Sequence, residues 1–130
     1  MSAEVKRMKE EGRKDDLRDR TKRFSLRVIR MYGALPKTTA AQVIGKQVLR
    51  SATSVGANYR EAYRGRSKAE FIAKAGDCLR EIEETTYWFE LLVEGGIVAD
   101  GKLAPLKREA DELTAIFVAI IKRARMKAKG

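Results

Sequence analysis

Four stretches of the chain carry apolar residues at alternating spacings of three and four, the period of one face of an α-helix. In the first, Leu17, Phe24, Val28, Met31 and Leu35 follow one another at +7, +4, +3 and +4. Pro36 disfavours helical geometry at Leu35, so a helix is predicted from about Asp16 to Ala34. The second stripe is Ala41, Ile44, Val48, Ala52, Val55, Tyr59 and Ala62; it begins after Thr38 or Thr39, either able to cap the exposed amides, and ends near Gly65. Ser67 and Glu70 form an S-x-x-E capping box directly before Phe71. From there Phe71, Ala75, Cys78, Ile82, Thr85, Phe89 and Leu92 run as a bundle seam until Gly95-Gly96 stops the third helix. The fourth starts around Asp100, with Pro105 as its first helical residue or an early kink, and places Leu103, Leu106, Ala110, Leu113, Phe117, Ile120 and Ala124 on one stripe. Short connections between long amphipathic helices make neighbours antiparallel. The predicted fold is all-α, an up-down-up-down four-helix bundle.

The same pattern sets the domain boundaries. Residues 1–15 have few apolar groups and a central Gly12, so a flexible extension is expected there, with the bundle over 16–126 and a basic tail over 127–130. All of "AIFVAII" at 115–121 is apolar, which leaves Val118 and Ile121 outside the Phe117–Ile120 stripe. Trp88 and Leu91 likewise sit beside the third seam. A wide core face accounts for this, and so does a subunit interface; homo-oligomerisation is the preferred expectation.

Composition narrows the class without changing the fold. A length of 130 residues suits one domain. The single cysteine, Cys78, excludes an intrachain disulfide and points to a reducing, cytoplasmic compartment. The N-terminus "MSAEVKRMKEEGRKDD" lacks the apolar core of a secretory signal, and no apolar run is long enough to span a bilayer, so no membrane association is expected. Charge is unevenly placed within the net +10. Residues 21–70 hold eleven basic and two acidic side chains (+9), whereas residues 71–100 hold two and seven (−5). A basic half of this kind attracts polyanions, and RNA or DNA is the expected partner.

Candidate chemistry is thin. The chain has no histidine, which removes His-based nucleophiles, bases and metal motifs together. "REIEET" resembles half of a di-iron site, but without histidine Glu81 and Glu84 read as solvent-facing groups or partners of basic residues on a neighbouring helix. Gly45-Lys46 lacks the first glycine and the hydroxyl residue of a phosphate loop. Cys78 falls on a buried stripe without a partner base. No enzyme, cofactor, metal or small-molecule substrate is expected.

The second helix is graded around its circumference. Beside its apolar stripe lies a neutral-polar one, Gln47, Ser51, Ser54, Asn58 and Glu61, and beside that a basic one containing Lys46, Arg50, Arg60 and Arg64. Gly45, Ala52 and Gly56 leave room for another helix to approach. The polar stripe reads as helix-to-helix fastening in preference to the rim of a groove whose hydroxyls and amides contact phosphate, and the basic stripe as solvent or polyanion contact. The expected basic surface is Lys22, Arg23, Arg27, Arg30, Lys46, Arg50, Arg60, Arg64, Arg66 and Lys68.

In "QVLRSATSVGANYREA" (Gln47, Arg50, Ser51, Ser54, Asn58, Glu61), "SKAEF", "CLREIE" with Glu81, and "LP" at Leu35-Pro36, the sequence resembles the four-helix bundle proteins first described from intervening sequences of bacterial 23S ribosomal RNA genes. Ala62 stands where that family usually has glycine, and Cys78 where it usually has serine; both changes suit helix packing. The resemblance implies a homopentameric barrel with a central channel and no particular activity. A related branch, accessory proteins of diversity-generating retroelements, binds a reverse transcriptase and nucleic acid. The expected function is therefore a non-enzymatic, homo-oligomeric nucleic-acid-binding or ribonucleoprotein accessory protein, the alternative being a scaffold that binds a partner such as a reverse transcriptase through its basic surface.

Overall fold

A computed structural model of the chain describes residues 17–129, with side chains through residue 127. Four helices account for the described fold: α1 (Leu17–Gly33), α2 (Thr39–Tyr63), α3 (Lys68–Glu94) and α4 (Asp100–Lys129). No strand occurs among the described residues, and no helix among them is long and apolar enough to cross a membrane. The extension expected over 1–15 lies outside the described residues. The segment read as a basic tail continues α4 as far as Lys129.

Each boundary has a local cause. Thr38 is the N-cap of α2, its hydroxyl accepting from the Ala41 amide. Ser67 caps α3 by accepting from the Glu70 amide at 3.1 Å, and Glu70 reaches back to the amide of Arg66, one residue before the cap, instead of to the cap itself. Gly96 adopts φ 73°, so the Ile97 amide reaches the Leu92 carbonyl and the Gly96 amide that of Val93. That pair of bonds is a Schellman ending, which the left-handed glycine makes possible. Pro105 is not the first helical residue: α4 starts five residues earlier, and the proline sits exposed inside the first turns.

The predicted stripes close on one core. Every stripe residue of α3 and α4 is buried, as are those of α1 and α2 except the half-buried Met31 and Ile44. Tyr59 of α2 meets Phe117 of α4 edge to face, with ring centroids 5.7 Å apart. Ile121 also joins the core at 6% exposure, whereas Val118 is 48% exposed. The poor helix formers of α2 are accommodated because Thr53 and Ser54 donate back to the Leu49 and Arg50 carbonyls, which satisfies the hydroxyls within the helix.

Neighbouring helices meet in ordered pairs. Along α1 and α2 the pairs are Tyr32 with Gln42, Ser25 with Ala52, and Arg18 with Tyr63. Along α2 and α3 they are Ser51 with Thr85, Val55 with Cys78, and Glu61 with Lys74. The α1 helix packs chiefly on α2 and touches α4 over a short stretch. There Arg20 donates to Glu109 through Nε and Nη2, both at 2.8 Å, and to Glu112 at 2.7 Å.

Candidate nucleic-acid interface

The two glycines noted on α2 set how closely α1 can lie. A Cβ on Gly56 would stand 3.3 Å from the Thr21 hydroxyl, and one on Gly45 would stand 2.6 Å from Leu35 Cδ1. Above this close packing the two helices leave a groove. One part, of about 300 Å³, is lined by Arg18, Lys22, Ser25 and Leu26 of α1 and by Thr53, Gly56, Ala57 and Arg60 of α2. The adjoining part, of about 280 Å³, is lined by Arg18, Asp19, Lys22, Arg60, Tyr63 and Arg64. Arg18, Lys22 and Arg60 belong to both, so the two parts form one groove.

Its electrostatics are one-sided. Among the described residues, four cations face a single carboxylate, Asp19, which pairs with Arg23 at 3.2 Å. The Arg18 guanidinium lies over the Tyr63 ring, 4.2 Å from its centroid, so a cation–π contact holds it at the groove wall. Several like charges gathered along a concave surface focus an attractive field on an anion.

The ten basic residues expected from the sequence do not all line this groove. Lys22, Arg60 and Arg64 line the groove. Arg23 and Arg27 line a different cleft, between α1 and α4, together with Arg20, Phe24 and Glu109. Arg50 is not available as a free cation, because Glu81 and Glu84 of α3 both accept from it and Glu84 also accepts from Trp88 Nε1. Arg30, Lys46 and Arg66 are exposed away from either cleft, and Lys68 is half-buried. Arg18 was absent from the expected set, although it precedes Lys22 by one turn on the same face of α1.

The polar stripe divides in a similar way. Ser51 is fully buried and accepts from the Thr85 hydroxyl at 2.7 Å, a fastening between α2 and α3. Glu61 accepts from Lys74 of α3 at 2.6 Å, and that bond holds the ammonium above its ordinary pKa range. Glu81 is half-buried against Arg50. Gln47 and Ser54 instead bond within α2, to Arg50 Nε and to the Arg50 carbonyl. Asn58 is half-buried. The Cys78 thiol donates to the Val55 carbonyl at 3.5 Å, and burial pushes it up to about 12. Among the described residues no group of three or more Cys, Asp or Glu side chains is placed to hold a metal ion.

Comparison with known proteins accounts for the architecture. The family described as 23S rRNA-intervening sequence protein matches residues 13–119. A crystal structure of a protein of unknown function from the S23 ribosomal protein family of Bacteroides thetaiotaomicron is similar, with a TM-score of 0.78 and 34% identity, over 83% of this chain and 96% of that one. No curated protein matches the chain. With a match that takes in most of all four helices, the chain belongs to the 23S rRNA-intervening sequence protein family.

Proposed function

We propose that this protein is a non-enzymatic accessory protein that binds nucleic acid through the groove between α1 and α2. The observation that carries the reading is the convergence of Arg18, Lys22, Arg60 and Arg64 on one concave surface, opposed by one carboxylate among the described residues. Cations presented from two helices can track successive phosphates of a strand, which gives binding with little sequence preference and a strong dependence on salt. Neutralising about three phosphates corresponds to a log K against log salt slope of about −2. In the double variant Arg60→Ala/Arg64→Ala the slope falls toward zero and low-salt affinity drops, whereas Lys102→Ala/Arg108→Ala on α4 leaves both unchanged. Equal losses in the two variants would refute the assignment.

The same reading has several copies of an antiparallel up-down-up-down bundle assembled in a ring, with five copies as the resemblance implies. The order of contacts along α1–α2 and α2–α3 supports the antiparallel arrangement. Exposed Val118 beside a cleft formed by Gly76, Leu79, Ile121 and Met126 supports assembly. Sedimentation mass with and without RNA tests both assembly and binding. The second reading, a scaffold for a protein such as the reverse transcriptase of a retroelement, draws on the same apolar cleft and its Lys122 and Arg125 rim. A partner retained after nuclease treatment would favour it.

A further inference from the structure

We propose that the groove accepts single-stranded nucleic acid, one base stacking on the Arg18–Tyr63 pair while Lys22, Arg60 and Arg64 hold the adjoining phosphates. This rests on the nucleic-acid reading above and adds the form of strand that is recognised.

The first argument is shape. The cations line a groove whose floor, Gly56 and Ala57, lies between two packed helices, and such helices have axes about 8–10 Å apart. A duplex keeps its bases stacked inside and turns sugar and phosphate outward, so it can touch the rim of this groove but cannot fill it. A single strand can turn a base into it. The second argument is chemistry at the wall. Tyr63 is half-buried with the Arg18 guanidinium over its ring at 4.2 Å. Arginine planes and aromatic rings are the surfaces on which unpaired bases stack, and that stacking tolerates any base. A base can lie on the guanidinium that the ring supports, with Arg60 and Arg64 on the same cleft for its phosphate. The third argument is size. The two connected parts, about 280 and 300 Å³, are each at the small end of ligand sites, of about 300 Å³ upward, suited to one nucleotide apiece. In the second part Leu26, 42% exposed, offers an apolar contact, and the Ser25 and Thr53 hydroxyls, which already donate to backbone carbonyls, keep only their acceptor capacity.

The test is fluorescence anisotropy of the full-length protein at low salt, with a short labelled oligouridylate and with a blunt RNA duplex of the same length. The single strand is expected to bind about tenfold more tightly. Arg18→Lys, which keeps the charge but loses the plane, is expected to weaken single-strand binding roughly fivefold and to leave the duplex unchanged. Equal affinity for both probes would overturn this proposal while leaving the nucleic-acid reading intact. A single-strand preference unaffected by Arg18→Lys would overturn the stacking assignment. Binding of neither probe would overturn the nucleic-acid reading, and this proposal with it.

Discussion

At the scale of single residues, the polar groups inside the bundle are placed to fix register and not to react. Thr85 donates to Ser51 across the α2–α3 seam, with the Glu81 carbonyl, also at 2.7 Å, as a second acceptor on its own helix. Ser51→Ala or Thr85→Val is therefore expected to cost about 1 kcal/mol. The double variant should cost less than the sum of the two, and a double-mutant cycle in urea measures the difference. Cys78 is held as the neutral thiol by burial, with the Asp77 charge adding to the effect. Alkylation of the folded protein at neutral pH should be negligible, and the thiol should become reactive only on unfolding. Much of this was legible in the chain: the +4, +3 rows placed Cys78, Thr85 and Ser51 next to the core. Which hydroxyl faces which was not legible, because periodicity assigns a residue to a face of its own helix and says nothing of the residue opposite. Arg50 shows the consequence. Its charge reads as unpaired until α3 brings Glu81 and Glu84 against it, and the side chain stays exposed.

At the scale of elements, small residues decide how the helices approach. A methyl on Gly45 would meet Leu35 Cδ1 at 2.6 Å and Tyr32 Cδ2 at 2.9 Å, where the buried Leu35 has little room to yield. Gly45→Ala is expected to destabilise by about 1–2 kcal/mol despite the better helix propensity. A methyl on Gly76 meets nothing within 4 Å. Gly76→Ala, inside α3, should stabilise by about 1 kcal/mol. Thermal unfolding of the two variants reads opposite shifts, and shifts of the same sign would contradict the packing described. Helix starts and stops were legible because each carries a side chain or glycine that acts locally: Thr38, Ser67 and Gly96. Pro105 left two readings open, first helical residue or early kink, and α4 carries it inside the helix, exposed, five residues after its start at Asp100.

At the scale of the molecule, α1 packs chiefly on α2, and where it touches α4 Arg20 pairs with Glu109 and Glu112. The Arg20 hydrogen bond holds the Glu109 carboxyl below the ordinary glutamate range of about 4.3. Because the folded state releases this proton at lower pH than the unfolded chain, the contribution is complete above about pH 5 and fades as the pH falls through the folded value. Glu109→Gln should cost about 1 kcal/mol at neutral pH, and urea titrations should show the gap from the parent narrowing in acid. The sequence announced a basic half but not its division. Only helix order separates Lys22, Arg60 and Arg64, which meet Arg18 in the groove, from Arg23 and Arg27, which lie toward α4. Arg18 escaped notice because the acidic and basic residues around it nearly cancel along the chain, whereas in the groove it shares a lining with Lys22, Arg60 and Arg64 as well as Asp19.

Photo-crosslinking of the full-length protein to a single-stranded RNA carrying 4-thiouridine, followed by mass spectrometry of the linked peptides, tests the central claim most directly. The α1–α2 groove predicts links in residues 18–26 and 53–64, with Tyr63 foremost, all lost at high salt. Links concentrated instead around Leu79 and residues 118–126, in the α3–α4 cleft, would contradict it.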